Sequence, residues 1–200
     1  MSSKANATAI GAFVDPALQQ QLFPAVPSVA LANPIASDLA VMRVSLWPGL
    51  LRSVQENQRR QQDRIRLFEH GVVFLGEHGE REIDRLAGVV AGPRAAEQWE
   101  RKRTAGDEAA DFYDVRADLE ALFAVTGELD SVQFGASADA PSCLHPGRAA
   151  RISRRGEPVG WIGELHPALV QALDLTYAPV LFELDWEPAL SVRPAAYRGV

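Results

Sequence analysis

The sequence predicts an α+β domain in which helices lie on one side of an antiparallel sheet. Three observations carry that expectation. Two stretches repeat their apolar residues at helical spacing, several short runs are dense in branched and aromatic residues, and turn residues join most of those runs into hairpins. The chain has 200 residues, 47% of them hydrophobic, which suffices for a core of its own.

Ala7 to Val14 reads as the first strand. Asp15-Pro16 then supplies an N-cap and a proline at the first helical position, so a short helix should span Pro16 to Leu22. Pro24 and Pro27 end it. Val29 to Leu31 is a brief extended run that closes at Asn33-Pro34, where the residue before proline is pushed out of the helical region. Leu46, Leu50, Leu51 and Val54 share a face, with Arg52, Glu56, Arg59 and Arg60 largely elsewhere, which predicts an amphipathic helix over 46–60. The run RIRLFEHGVVFL, Arg64 to Leu75, reads as strand, corner at His70-Gly71, strand. Leu86 to Ala91 is another apolar run ending at Gly92-Pro93. From there to Ala110, with RKR at 101–103, an exposed connection with room for a short helix around Trp99 is expected. Asp111 to Thr126 predicts the second long helix, acidic at its start, with Val115, Leu119, Leu122 and Phe123 on one face and Gly127 closing it. Further strands are expected at Val132 to Phe134, Ala149 to Ser153, Val159 to Ile162 and Val180 to Leu184. The middle pair turns at Gly156, and a helix follows over Pro167 to Leu173.

Charge and cysteine usage exclude several classes of function. The formal net charge is -6, so no global positive field gathers nucleic acid or an anionic membrane. One cysteine, Cys143, rules out an internal disulfide and a cysteine-rich zinc site, in keeping with a reducing compartment. No apolar run approaches the roughly 20 residues a bilayer span needs. The expectation is a soluble, cytoplasmic chain without membrane contact.

Catalytic motifs are sparse. Leu-His-Pro occurs twice, at His145 and His166, in a chain with four histidines. With Glu164 these two imidazoles could hold a metal, making the chain a stand-alone metal hydrolase. Each also stands at a turn or a helix start beside proline, and zinc-type ligand spacing is missing, so local shaping of turns explains them more simply. Asp111 and Asp114 could do acid-base work, but capping of a helix start accounts for both. The arginines from Arg52 to Arg66 could meet the phosphates of a tRNA; in an acidic chain a solvated helix face is the simpler explanation. Ser45, Ser53 and Ser142 lie in no nucleophile elbow, there is no phosphate-binding glycine loop, and Gly160 with Gly163 signals close packing.

The stretches NPIASDLAVMRVSLWPGLL, NQRRQQDRIRLFEHGVVFL, DFYDVRADLEALF, LHPGRAARI, GWIGELHP and VLFELDW, in that order from about Asn33 to Trp186, resemble the core of the β subunit of bacterial phenylalanine-tRNA ligase. The resemblance implies the antiparallel sheet of class II aminoacyl-tRNA synthetases. It also implies that phenylalanine activation and transfer to tRNA(Phe) happen on a partner α subunit, in a heterotetramer, while the β core is catalytically inactive. It places residues 10–192 in that core, 1–9 in a leader and 193–200 at the start of a linker to an anticodon-binding domain. It assigns no catalytic, cofactor-binding or metal-binding residue to this chain; ATP and magnesium belong to the intact enzyme. The family's tRNA-binding-like, editing and helix-turn-helix-like modules find no counterpart here.

Class II adenylation needs arginines on the ATP phosphates, because guanidinium is always charged and binds phosphate oxygens in pairs. Laid on that pattern, Leu75 stands where the first arginine would be, with Glu77 near an acidic position. Pro188 stands where the second would be, and Glu183 and Asp185 replace glycines that let backbone approach the nucleotide. The expectation is a cleft that neither binds ATP productively nor activates an amino acid. Val29 to Pro34 resembles the interface motif of class II enzymes, which would place it against the α subunit or, in the isolated chain, a second copy; an ordinary strand and turn accounts for it equally well.

Overall fold

Two long hairpins and one returning strand make the centre of the sheet, with one shorter strand at each edge. The computed structural model describes residues 6–7, 12–34, 36–95, 109–127 and 129–191. The elements in chain order are β1 (Asn6–Ala7), β2 (Phe13–Val14), α1 (Pro16–Leu22), β3 (Val41–Met42), α2 (Trp47–Arg59), β4 (Ile65–Leu75) and β5 (Arg81–Ala91). They continue with α3 (Phe112–Val125), β6 (Val132–Gly135), β7 (Leu144–Arg154), β8 (Glu157–Leu165), α4 (Pro167–Ala172), β9 (Val180–Asp185) and α5 (Trp186–Leu190). The seven-stranded sheet has the order β1-β4-β5-β9-β8-β7-β6. Every pairing in it is antiparallel except β1 with β4. β9 therefore closes the fold by sliding between the β4–β5 and β7–β8 hairpins.

Side chains alternate between two faces along each strand. On the front face, α2 packs Leu46, Trp47, Leu50, Leu51 and Val54 against Val73, Ala87, Val89, Leu165 and Leu181. On the back face, α3 and α5 pack Val115, Leu119, Phe123 and Ala189 against Ile152, Ile162, Val180 and Leu184. The expected placement of helices on one side is thus corrected: they cover both. Neighbouring residues such as Val89 with Val90 and Val180 with Leu181 are all buried, and a strand apolar on both faces needs a cover on each.

Local signals set the helices. Asp15 Oδ1 accepts from Ala17 N at 2.8 Å, and Pro16 opens α1. Asp111 and Asp114 form a reciprocal capping box at the start of α3. Three strand expectations change. β4 runs unbroken through His70-Gly71, because a Cβ on Gly71 would collide with the Arg43 guanidinium; the glycine makes room for a side chain and turns no corner. β5 starts at Arg81, well before Leu86, carried by its register with β4 from Leu75 onward. Ala7 to Val14 divides between two sheets, β1 beside β4 and β2 beside β3. The connection around Trp99 lies outside the described residues. Cys143 is buried in the front core, and that burial pushes its thiol up to about 12, which suits a small apolar role.

Candidate functional site

The cleft of interest lies on the front face, where α2 begins and β9 ends. Residues two apart on a strand share a face, so Glu183 and Asp185 point together toward α2. Arg85 stands directly opposite Asp185 in register. Its Nε donates to Asp185 Oδ1 at 2.8 Å and its Nη1 to Glu183 Oε2 at 2.6 Å. The other Glu183 oxygen, Oε1, accepts from Leu46 N at 2.7 Å and from Ser45 Oγ at 2.9 Å. Glu183 is 7% exposed. Burial pulls the Arg85 guanidinium down, but the Glu183 and Asp185 carboxylates outweigh it and hold its pKa above the ordinary arginine value.

A cavity of about 250 Å³ opens beside this cluster, lined by Arg85, Arg151, Gly160, Trp161, Glu183 and Asp185. The Arg151 guanidinium lies 4.8 Å from the centre of the Trp161 ring and pairs with Asp139 at 3.0 Å. Gly160 holds β8 close: a Cβ there would run into the Glu183 carbonyl oxygen. Close packing is therefore the role of this glycine. Two carboxylates and one guanidinium leave the central cluster with one net negative charge, a poor seat for a polyphosphate.

A second, more deeply buried pair lies on the same face. Arg43 donates Nη1 to Glu69 Oε1 and Nε to Val72 O at 2.7 Å. Its backbone ties the ribbon of β2 and β3 to the sheet, through Arg43 N to Ala12 O at 3.2 Å and Phe74 N to Arg43 O at 2.9 Å. Val29 to Leu31 joins this ribbon by a bridge from Ala30 to Val41, and Ala32, Asn33 and Pro34 are exposed.

Leu75 ends β4 at the hairpin tip, half-buried, and Glu77 is exposed in the turn. Pro188 lies exposed in α5, where its carbonyl accepts from Arg154 Nη1 at 2.9 Å. Arg154 thereby supplies a positive charge to the end of α5 on the back of the sheet. His145 Nδ1 accepts from Gly147 N at 3.0 Å, and His166 Nδ1 accepts from Ala168 N at 3.2 Å as the N-cap of α4. Glu164 pairs with Arg148 at 2.8 Å. The two histidines shape turns, and among the described residues no three His, Cys, Asp or Glu side chains gather to hold a metal. Of the arginines on the α2–β4 segment, Arg52 pairs with Asp38 and Glu56, and Arg66 with Asp118.

Sequence reasoning missed Arg85, Arg43 and Glu69. The period-two pattern Arg85, Ala87, Val89 was a usable signal for Arg85, but only once β5 was known to begin upstream of Leu86.

The back face carries a different feature. A groove of about 630 Å³ is lined by Phe68, Leu86, Leu122, Phe182, Trp186 and Leu190. Phe68 and Trp186 are 36% and 41% exposed, and the His70 ring lies tilted against that of Trp186, 4.3 Å between centres.

Comparison with known proteins adds three findings. Residues 9–186 match the family model described as the phenylalanyl tRNA synthetase beta chain CLM domain. The phenylalanine-tRNA ligase beta subunit of Pseudomonas putida is 46% identical over 173 residues, covering 86% of this chain and 21% of that protein. That of Yersinia pestis is 46% identical over 178 residues, covering 87% and 22%. The chain spans about a fifth of the length of these curated relatives. Among solved structures, the pyrrolysyl tRNA synthetase of Desulfitobacterium hafniense superposes with a TM-score of 0.63 at 12% identity, over 93% of this chain and 62% of that one. At that identity the likeness speaks for the fold alone: an antiparallel sheet of the class II synthetase type.

Proposed function

The chain belongs to the phenylalanyl tRNA synthetase beta chain CLM domain family, and from that premise we propose that residues 10–192 act as the non-catalytic core of a phenylalanine-tRNA ligase beta subunit in the cytoplasm. In this reading the domain holds a catalytic α subunit in the geometry needed to charge tRNA(Phe) at the expense of ATP, and does no adenylation itself.

The observation that carries the proposal is the seat of Glu183. An adenylating cleft must offer cations to phosphates at the moment negative charge develops. Here the carboxylates of Glu183 and Asp185 lie on Arg85, and Leu75 and Pro188 bring no charge to the positions where arginines would be expected. The residues present do not suit a bound triphosphate. Support for the scaffolding half comes from the exposed Ala30 and Ala32 to Pro34 on the ribbon, whose backbone is anchored to the sheet through Arg43. An exposed segment tied to the sheet by backbone hydrogen bonds is a suitable docking element, for the α subunit or, in its absence, a second copy.

Co-expression with a phenylalanine-tRNA ligase α subunit tests the reading directly. A complex that survives size-exclusion chromatography is expected, weakened by charge-bearing substitutions at Ala32 and Asn33, with no ATP-pyrophosphate exchange by the chain alone. Failure to bind the α subunit, or phenylalanine-dependent exchange by the isolated chain, would overturn it.

A further inference from the structure

The amino end of α2 meets a carboxylate from a distant part of the chain. Leu46 is the N-cap of this 13-residue helix and has no capping side chain of its own. The cap comes instead from Glu183, 137 residues further along the chain. Three donors from three parts of the fold converge on that one carboxylate: the Leu46 amide, the Ser45 hydroxyl and the Arg85 guanidinium. Ser45 Oγ itself accepts from Trp47 N at 3.1 Å, which leaves its proton for Glu183. A helix amino terminus, a hydroxyl and a partly buried cation are components that bind oxyanions generally. Arg85 would stay in place without Glu183, because Asp185 holds its Nε. A cavity of about 250 Å³ borders both Glu183 and Arg85.

We propose that the junction of α2, Ser45 and Arg85 is an oxyanion-binding site occupied from within by Glu183, and that a small carboxylate takes the place when that side chain is removed. The inference concerns the cleft alone and stands whether or not the chain scaffolds a catalytic subunit.

The test is chemical rescue of E183A. Thermal unfolding is followed in sodium formate and in sodium chloride at equal ionic strength. A three-atom ligand binds at about millimolar strength at best, so the titration runs from roughly 10 to 200 mM. The melting temperature of E183A is expected to fall well below that of the wild type in chloride and to rise with formate beyond any rise in chloride, whereas the wild type should respond to both salts alike. The double variant E183A/R85M should lose the formate-specific rise. If E183A does not fold in chloride, its refolding yield in formate replaces the melting temperature as the readout. Equal responses of E183A to formate and chloride, or a formate effect that survives in the double variant, would overturn the proposal.

Discussion

The front and back faces of the sheet are both covered by helices, yet they pair their charges differently. The front buries its ions: Glu69 and Arg43 are 3% and 5% exposed, and Glu183 lies under α2 with Arg85 across it. The back buries a cation too, Arg154 at 4% exposed, but sets it on the backbone carbonyls of Pro188 and Ser191; its Arg66–Asp118 pair stays at the rim, and an apolar groove lies open between Phe68 and Trp186. The contrast teaches how each face is held. The front cleft is pegged by ion pairs that tie α2, β5 and β9 together; the opposite face depends more on apolar contact and leaves an opening.

The sharpest way to break this comparison is to remove one cation from each face. Arg85→Met strips two carboxylates of their counter-charge and should cost about 3–5 kcal/mol in denaturant unfolding. Arg66→Met, whose partner Asp118 is largely exposed, should cost less than about 1 kcal/mol. Equal losses would mean that the front network is no more than surface charge.

Gly71→Ala probes the other front pair. Its Cβ would displace the Arg43 guanidinium from Glu69, and a loss of about 1–3 kcal/mol is expected. A neutral result would show that Arg43 is not held in place by the ion pair.

The capping box of α3 sharpens the contrast through pH. Burial works to raise the Asp114 carboxyl, but hydrogen bonds from the Asp111 amide and Arg94 outweigh it and hold the group below its ordinary value. A carboxylate depressed in the folded state stabilises above its unfolded pKa and loses that contribution as pH falls through the folded value. Asp114→Asn should therefore lower stability at neutral pH, by less than the Arg85 substitution, and the gap to wild type should close in acid. A gap independent of pH would assign the effect to packing.

The smallest effect belongs to the open groove. Trp186→Ala should leave unfolding within about 1 kcal/mol of wild type, since the ring is half exposed. A large loss would mean that the groove is part of the core.

Much of the fold was legible because its signals are local. Asp15 and Asp111 announce helix starts through side chains that reach amides two or three residues on, and the apolar stripe of α2 records which side faces the sheet. The expected span of 46–60 differs from the observed Trp47–Arg59 only at the ends. The site was far less legible. Glu183 and Asp185 were noticed as carboxylates out of place, but their partner, Arg85, is about a hundred residues away along the chain. His70-Gly71 looked like a corner because glycine in a strand often marks one; here it leaves space for a side chain from β3's neighbour, Arg43.

What the sequence determined alone was most of the helices and strands, though not β3, α5 or the full extent of β4 and β5, since capping, periodicity and turn chemistry act over a few residues. Only the tertiary structure decided which strands lie side by side, that helices cover both faces, and that Arg85 meets Glu183 and Asp185. Those outcomes depend on β9 entering between two hairpins, a long-range pairing whose partners carry no mutual mark in the linear chain.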